Sequence, residues 1–325
     1  MMRAQVCHQR APVETRPLSL EQIPEPEPCD GDVLLDVEVC AVCRTDLHVV
    51  EGDLEGGKLP IVPGHQIIGR ARDTNVRFGA AWLHETCGQC SFCSRGSENL
   101  CDRPTFTGFH VDGGYAESVA AKRDFLYEIP EEADAAQVAP LLCAGIIGFR
   151  ALRRSGVEPG QDLGLYGFGS SAHIVIQIAR HWGCAVSVIT RGAKHRKLAE
   201  DMGADWVGDA DDAPPRPLDA AIVFAPSGEA IARALSAVGK AGTVVCAGIH
   251  SSDLPPLEYS RHLFGEKTLT SVTANTREDG RELLRLAWEI PIRTSVEEFS
   301  LQEANDALLK LKTDGIRGSA VLRIK

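Results

Sequence analysis

Four cysteines stand close together at Cys87, Cys90, Cys93 and Cys101, in the spacing C-x2-C-x2-C-x7-C. Two-residue gaps let neighbouring thiolates converge on one tetrahedral ion, with Zn–S bonds of about 2.3 Å. Four thiolates close the coordination sphere and leave no position for water or substrate, so the cluster reads as a structural zinc site. Free thiols, disulfide pairs and an iron–sulfur cluster are the other uses of four cysteines so placed. The surrounding stretch, residues 84–104, carries Cys, Ser, Gly and charge but almost no aliphatic side chains. Such a lobe cannot fold by hydrophobic burial alone, and a bound ion would supply what its core lacks.

A second set of donor residues is scattered. Cys43-Arg44-Thr45-Asp46-Leu47-His48 follows a strand-like run, Gly64-His65-Gln66 follows a Pro-rich loop, and Cys143-Ala144-Gly145 precedes a change of pattern near residue 160. Taken singly each has a bland explanation, since buried cysteines are common in cores and a lone histidine is more often structural than a ligand. Spacing alone does not make these residues a site.

Gly167-x-Gly169-x-x-Ala172 lies between a predicted strand and a predicted helix, the setting that gives this weak motif its meaning. The first glycine permits a tight turn, the second lets a pyrophosphate approach the backbone, and Ala172 keeps helix and strand close. The strand that follows ends in Thr190-Arg191, with Lys194, His195 and Arg196 close behind. An acid at that point would hold both adenosine-ribose hydroxyls of NAD and repel a 2′-phosphate. Thr190 can instead donate a hydrogen bond and Arg191 can pair with the phosphate, which favours NADP(H) over NAD(H). A solvated basic turn is the alternative.

The elements that must position these residues fall into two kinds. The first part reads as β-rich, with turns at Pro24-Glu25-Pro26-Glu27-Pro28 and Gly31-Asp32, a partly alternating strand over Val33–Val39, and loop over residues 51–64. From residue 160 strands and helices alternate: strands at Asp162–Tyr166, Ala185–Thr190, Ala220–Phe224 and Thr243–Ala247, with helices ending near Trp182, over His195–Met202 and over Gly228–Val238. That rhythm gives parallel βαβ units and a doubly wound sheet. Beyond residue 275, helices over Glu278–Trp288 and Leu301–Lys312 lead to a last strand at Ser319–Ile324.

At 325 residues the chain has room for two domains, and 44% hydrophobic with 24% charged residues is a globular composition. A net charge of −11 argues against nucleic acid as a partner. No apolar run reaches the length of a bilayer span, the opening residues lack a secretory core, and eleven cysteines without an export signal read as thiols or metal ligands. A soluble cytoplasmic protein with no membrane contact is expected.

In order, Cys43-x-Thr45-Asp46-x-His48, Gly64-His65, Trp82 running into the four-cysteine lobe, Asp112-Gly113-Gly114-Tyr115-Ala116-Glu117, Cys143-Ala144-Gly145 and the later glycine turn span essentially the whole chain. With these motifs the sequence resembles the zinc-containing alcohol dehydrogenases of the medium-chain dehydrogenase/reductase family. The resemblance implies an α/β architecture: a GroES-like β-rich catalytic domain over residues 1–146 and 276–325, and a Rossmann doubly wound parallel-sheet domain over residues 147–275. It implies that Cys43, His65 and Cys143 hold a catalytic zinc whose fourth position stays open, with Asp46 accepting a hydrogen bond from His65. Thr45 would take the proton of the substrate hydroxyl and pass it through the cofactor ribose to His48. Trp82 would narrow the substrate channel. Cys143, where polyol dehydrogenases of the family usually have glutamate, points to simple primary alcohols and aldehydes, aliphatic or aromatic. Relatives pair into homodimers or homotetramers through an edge of the nucleotide-binding sheet, to which Gly242–His250 is assigned here.

The chain departs from the family pattern in three places. The family usually reads Gly-His-Glu where Gln66 stands, the segment 69–81 is shorter than usual, and Gly318-Ser319 replaces a common Gly-Arg. A reductase of activated double bonds shares the scaffold but commonly lacks the metal ligands. A non-catalytic zinc-containing binding module is the reading from another class, against which the acidic charge and the complete second half both count.

Overall fold

The computed structural model describes residues 1–325 and divides into two compact units, Met1–Ala144 with Ala274–Leu284 and Thr294–Lys325, and Gly145–Thr273 with Arg285–Arg293. The second unit thus includes Arg285–Arg293, which lies within the 276–325 segment that the sequence assigns to the first. Both the helix running through that segment and the loop after it are shared between the units.

The first unit holds strands β1 (Met2–Cys7), β2 (Leu18–Ile23), β3 (Asp32–Val42), β4 (Gln66–Ala71), β5 (Arg77–Ala80), β6 (Leu83–Glu85), β7 (Thr105–Phe106), β8 (Ser118–Lys122) and β9 (Leu126–Glu128). Its helices begin with α1 (Arg44–Glu51) and the single turn α2 (Ala135–Val138). The long strand β3 is its organiser, pairing antiparallel with β4 and with β8. Alternation along β3 buries Val33, Leu35, Val37 and Val39, each worth about 1.5–3 kcal/mol on removal from water. The shortened segment after β4 is a tight hairpin in which Ala71 donates to Val76 and Asn75 takes a left-handed φ of 59°.

Two features of this unit decide where chemistry can occur. In the β3–β4 register Ala41 faces Gln66, so Cys43, just past β3, and His65, just before β4, emerge at the same end of the pair. Gly64 is held at φ 99°, where a Cβ would lie 2.4 Å from the Tyr115 ring. A Cβ on Gly113 would lie 2.0 Å from the Gly64 carbonyl oxygen. The Asp112–Tyr115 segment therefore wraps the backbone beside His65 at a distance only glycines allow.

The second unit begins in α3 (Ala144–Ser155) and continues through β10 (Asp162–Tyr166), α4 (Ser170–His181), β11 (Ala185–Ile189), α5 (Ala193–Asp201), β12 (Trp206–Gly208), β13 (Leu218–Val223), α6 (Gly228–Ala237), β14 (Val238–Cys246), the short α7 (Tyr259–His262) and β15 (Thr268–Ser271). All six strands are parallel, in the order β12-β11-β10-β13-β14-β15, which reverses between β10 and β13. β14 has a neighbour on both sides, so Gly242–Cys246 is interior and the sheet edge is β15, four residues carrying two threonines and a serine. This corrects the edge assigned from sequence. Helix α8 (Arg277–Glu289), β16 (Val296–Ser300), α9 (Ala304–Lys312) and β17 (Ser319–Arg323) complete the chain, with β17 returning to pair with β3. No single helix is long and apolar enough to cross a membrane.

Candidate metal and nucleotide sites

Cysteine 43 ends β3 and caps α1. Its Sγ accepts the Thr45 backbone N–H at 3.3 Å, and its own N–H donates to Asp46 Oδ2 at 2.9 Å, a reciprocal cap that fixes the first turn. The other carboxylate oxygen, Asp46 Oδ1, lies 2.8 Å from His65 Nδ1. One buried carboxylate therefore holds both the backbone of Cys43 and the ring of His65. With Nδ1 donating to Asp46, a neutral His65 ring would present the Nε2 lone pair, and Nε2 lies 3.3 Å from Cys43 Sγ.

Cys143 joins them from a third segment, at the end of the 3-10 turn Ala139–Leu142. Leu142 packs so closely on β5 that a Cβ on Gly79 would meet it at 2.9 Å. The ligand atoms of Cys43, His65 and Cys143 all lie within 4.8 Å of one another. A tetrahedral ion with Zn–S of about 2.3 Å and Zn–N of about 2.05 Å spaces an S–N pair by about 3.6 Å, close to the separation of Cys43 and His65. Two thiols and an imidazole are the soft and borderline donors that zinc takes, and three donors leave one tetrahedral position to a non-protein ligand. The residues fit the ion.

Electrostatics point the same way. Burial raises the Cys43 thiol, but the hydrogen bond from Cys143 and the charge of His65 outweigh it and bring Cys43 well below the usual thiol range. That same hydrogen bond and burial push Cys143 well above it. Burial disfavours an imidazolium at His65, yet Asp46 and Cys43 overcome it and push the group up to about 10. Two negative neighbours that call so strongly for a cation are what a dication would satisfy.

Gln66, the departure from the family pattern, is 1% exposed, and its Oε1 accepts the Ala144 N–H at 3.4 Å, next to Cys143. Thr45 is 8% exposed. The Nδ1 of His48 lies 2.7 Å from Asp53 Oδ2, a partner the sequence did not reveal. Trp82 meets the His65 ring edge to face at 5.0 Å and stacks on Phe106 at 4.9 Å and Phe109 at 5.8 Å. The aromatic wall beside His65 is thus three rings, of which sequence reasoning found one.

In the lobe, Cys90 Sγ lies 3.5 Å from Cys93, Cys101 3.5 Å from Cys87, and Cys87 4.0 Å from Cys93. Four sulfurs at about 2.3 Å from one ion would be spaced by about 3.8 Å. All eleven cysteines are free thiols, these four among them. The backbone N–H groups of Gln89 and Cys90 hold the Cys87 thiol down to about 6. Glu98 ties the lobe down, accepting from the Arg277 backbone N–H at 3.0 Å.

In the second unit the glycine turn follows β10. Gly167 sits at φ 89°, and a Cβ there would come within 3.0 Å of the Ala225 nitrogen. A Cβ on Gly169 would meet nothing within 4 Å. No protein atom therefore requires glycine at 169, and the missing side chain leaves the N-terminus of α4 open to a close-approaching group. Ala172 is fully buried against the sheet. Thr190 Oγ accepts the Phe168 N–H at 3.2 Å, tying the end of β11 to the turn while keeping its own hydrogen to donate. Beyond it, Arg191 is exposed and His195 Nδ1 is a buried nitrogen without a partner. The cradle and the orphaned nitrogen fit a dinucleotide.

The comparisons with known proteins agree with this geometry. Residues 29–131 match the alcohol dehydrogenase GroES-like domain, and residues 172–289 match the zinc-binding dehydrogenase domain. A Mycobacterium tuberculosis protein named Probable alcohol dehydrogenase AdhA is 44% identical, over 99% of this chain and 97% of its own. Acetophenone reductase from Geotrichum candidum, solved with NAD, superposes with a TM-score of 0.88 at 25% identity, covering 99% of this chain and 97% of its own. A Sinorhizobium meliloti protein solved with NADP does so with a TM-score of 0.86 at 26% identity, covering 100% and 99%.

Proposed function

The chain belongs to the zinc-dependent alcohol dehydrogenases of the medium-chain dehydrogenase/reductase family, and from that premise we propose that it interconverts primary alcohols and aldehydes, with NADP(H) preferred to NAD(H). Cys43, His65 and Cys143 hold the catalytic zinc, and Cys87, Cys90, Cys93 and Cys101 hold a structural one. The observation that carries this reading is the convergence of two thiols and an imidazole from three separated segments, beside a second cluster of four thiols. When bound, the catalytic zinc supplies a positive charge that stabilises an oxygen anion at neutral pH.

The chain's own residues do the rest. Asp46 orients the His65 ring through Nδ1 and so presents Nε2. Thr45 receives the substrate hydroxyl proton at Oγ, and His48, steadied by Asp53, passes it to solvent. The rings of Trp82, Phe106 and Phe109 give the site an apolar wall suited to an unbranched or aromatic chain. Gly167, Gly169 and Ala172 receive the pyrophosphate, while Thr190 and Arg191 face the adenosine ribose. Free thiols throughout suit a reducing cytoplasm. The single-sided strand β15 suits pairing of two copies into a homodimer, or of two such dimers into a homotetramer.

The test combines metal counting with kinetics. The purified chain should carry two zinc ions and lose activity on strong chelation. It should reduce short aliphatic, aromatic or cinnamyl-type aldehydes faster with NADPH than with NADH. Thr45→Ala should keep both ions and lose about 100-fold or more in kcat, the scale of a lost proton-transfer group. Unchanged turnover in that variant refutes the relay, and a strong NADH preference refutes the cofactor assignment.

A further inference from the structure

The ends of three parallel strands lie side by side in the second unit. Gly167, after β10, donates its N–H to Ile189 at 2.8 Å, and Thr190, after β11, donates to Gly208 at 3.1 Å. The residue after Gly208, Asp209, therefore stands beside Thr190, at the sheet edge where the ribose of the proposed cofactor belongs. The acid that is absent from the end of β11 has a counterpart at the end of β12.

That carboxylate is committed on both oxygens. Oδ2 accepts from Arg196 Nη1 at 2.6 Å, and Oδ1 accepts the Ala210 N–H at 2.7 Å. The Asp209 N–H in turn donates to Asp212 Oδ2 at 2.8 Å, which fixes the turn. The Ala210 N–H, and with it the charges of Arg196 and Arg191, hold the Asp209 carboxyl below its ordinary range. Both guanidinium groups of the basic turn thus act on this one anion. A 2′-phosphate would offer them the same kind of partner, anionic oxygens in a plane that a guanidinium fork matches.

We propose that Asp209 is a specificity-determining residue, an internal carboxylate that occupies Arg196 and competes with the 2′-phosphate, narrowing the chain's preference for NADP(H) over NAD(H). The proposal rests on the cofactor reading given above and deepens it. It differs from a ribose-binding role, in which the carboxylate would accept from the ribose hydroxyls and its loss would weaken binding of both nucleotides. Discrimination built from a repulsive or competing group inside an attractive site is a common device of specificity.

The test titrates the full-length protein calorimetrically with adenosine 2′,5′-bisphosphate and with adenosine 5′-monophosphate, so that no turnover is read. Asp209→Asn retains an oxygen for the Ala210 N–H and removes the charge. It should tighten the bisphosphate about two- to fivefold relative to the monophosphate, the scale of an exposed ion pair. In the background of Arg196→Gln the same change should have a smaller effect, since only Arg191 and the direct repulsion between the carboxylate and the phosphate remain. A bisphosphate-to-monophosphate ratio that stays level or falls in Asp209→Asn overturns the proposal while leaving the dinucleotide site standing. Equal weakening of both ligands assigns the carboxylate to the ribose and also overturns it. Failure of the unaltered protein to bind either nucleotide removes the cofactor reading, and this proposal with it.

Discussion

Replacing Asp46 by asparagine tests whether one carboxylate builds the three-donor site. The change is nearly isosteric, so its effect is electronic. In the native arrangement Oδ1 faces His65 Nδ1 at 2.8 Å and Oδ2 faces the Cys43 N–H at 2.9 Å, two acceptor atoms against two donors. Asparagine has only one acceptor atom. If its oxygen faces His65, its NH2 is driven against the Cys43 N–H and the cap of α1 is lost. If its NH2 faces His65, Nδ1 must become the acceptor, the ring proton moves to Nε2, and the metal-facing nitrogen has no lone pair. The first rotamer leaves donors unsatisfied and the second leaves a ligand protonated, in a pocket where Asp46 and His65 are at most 1% exposed. Losing one charge-assisted hydrogen bond in such a place costs about 2–3 kcal/mol. That corresponds to about 30- to 150-fold in zinc affinity, reaching the top of the range seen for outer-shell partners of metal-bound histidine. Release of zinc to a chromophoric chelator should show one ion leaving at low chelator concentration while the second is retained. Release curves that superpose on those of the unaltered protein would mean that Asp46 does not hold the ligands.

Two further outcomes follow from the same coordinates. Cys90→Ser should reduce the zinc content from two ions per chain to one, because a neutral hydroxyl cannot replace a thiolate that sits 3.5 Å from Cys93. Limited proteolysis should then cut within residues 84–104 while the second ion stays; full zinc content in the variant would refute a four-thiolate site. His173, wholly buried in α4, is pushed down by burial to about 4, against an ordinary value of about 6.5. Its neutral form is the one that folds, so the stabilisation is complete above about pH 6.5 and is lost as pH falls towards 4. The loss approaches about 3 kcal/mol. Urea unfolding of the protein and of His173→Gln should diverge in pH dependence across that window. Parallel curves would place the titration elsewhere.

What could be read from the sequence depended on how local the cause was. The four-cysteine lobe was legible because its ligands are neighbours in the chain. The strand Asp162–Tyr166 coincides with β10, and α4, α5 and α6 lie within about two residues of their expected ends, since buried βαβ units carry their pattern in consecutive residues. β12, β15 and β16 escaped notice. The first has three residues, the second is nearly all threonine and serine, and the third opens with Val296-Glu297-Glu298. With β15 invisible, the sheet edge was placed one strand too far in. Cys43, His65 and Cys143 had no local signature at all, and only the family resemblance grouped them. Their proximity is created by the β3–β4 register and by Leu142 packing on Gly79, both long-range. Asp53 was equally hidden: it reaches His48 because Gly52 turns the chain at φ 90°.

Gln66 bears on how the open metal position would behave. Two thiolates and a dication sum to zero charge, and Asp46 behind His65 makes the buried site singly negative. A glutamate at 66, the usual family residue, would add a second buried negative charge unless it took up a proton. Negative charge also develops on the substrate oxygen during oxidation, so each fixed carboxylate nearby opposes that step. Gln66 removes one such opponent and spends its oxygen on the Ala144 N–H, which steadies the backbone that carries Cys143. The neutral side chain therefore keeps a positioning bond while sparing the pocket a charge. Unlike a glutamate, it would have no anionic oxygen to offer a bound metal ion. In the proposed site zinc retention would fall to Cys43, His65, Cys143 and the Asp46 carboxylate behind them, and any slowing of ligand exchange to the amide at 66.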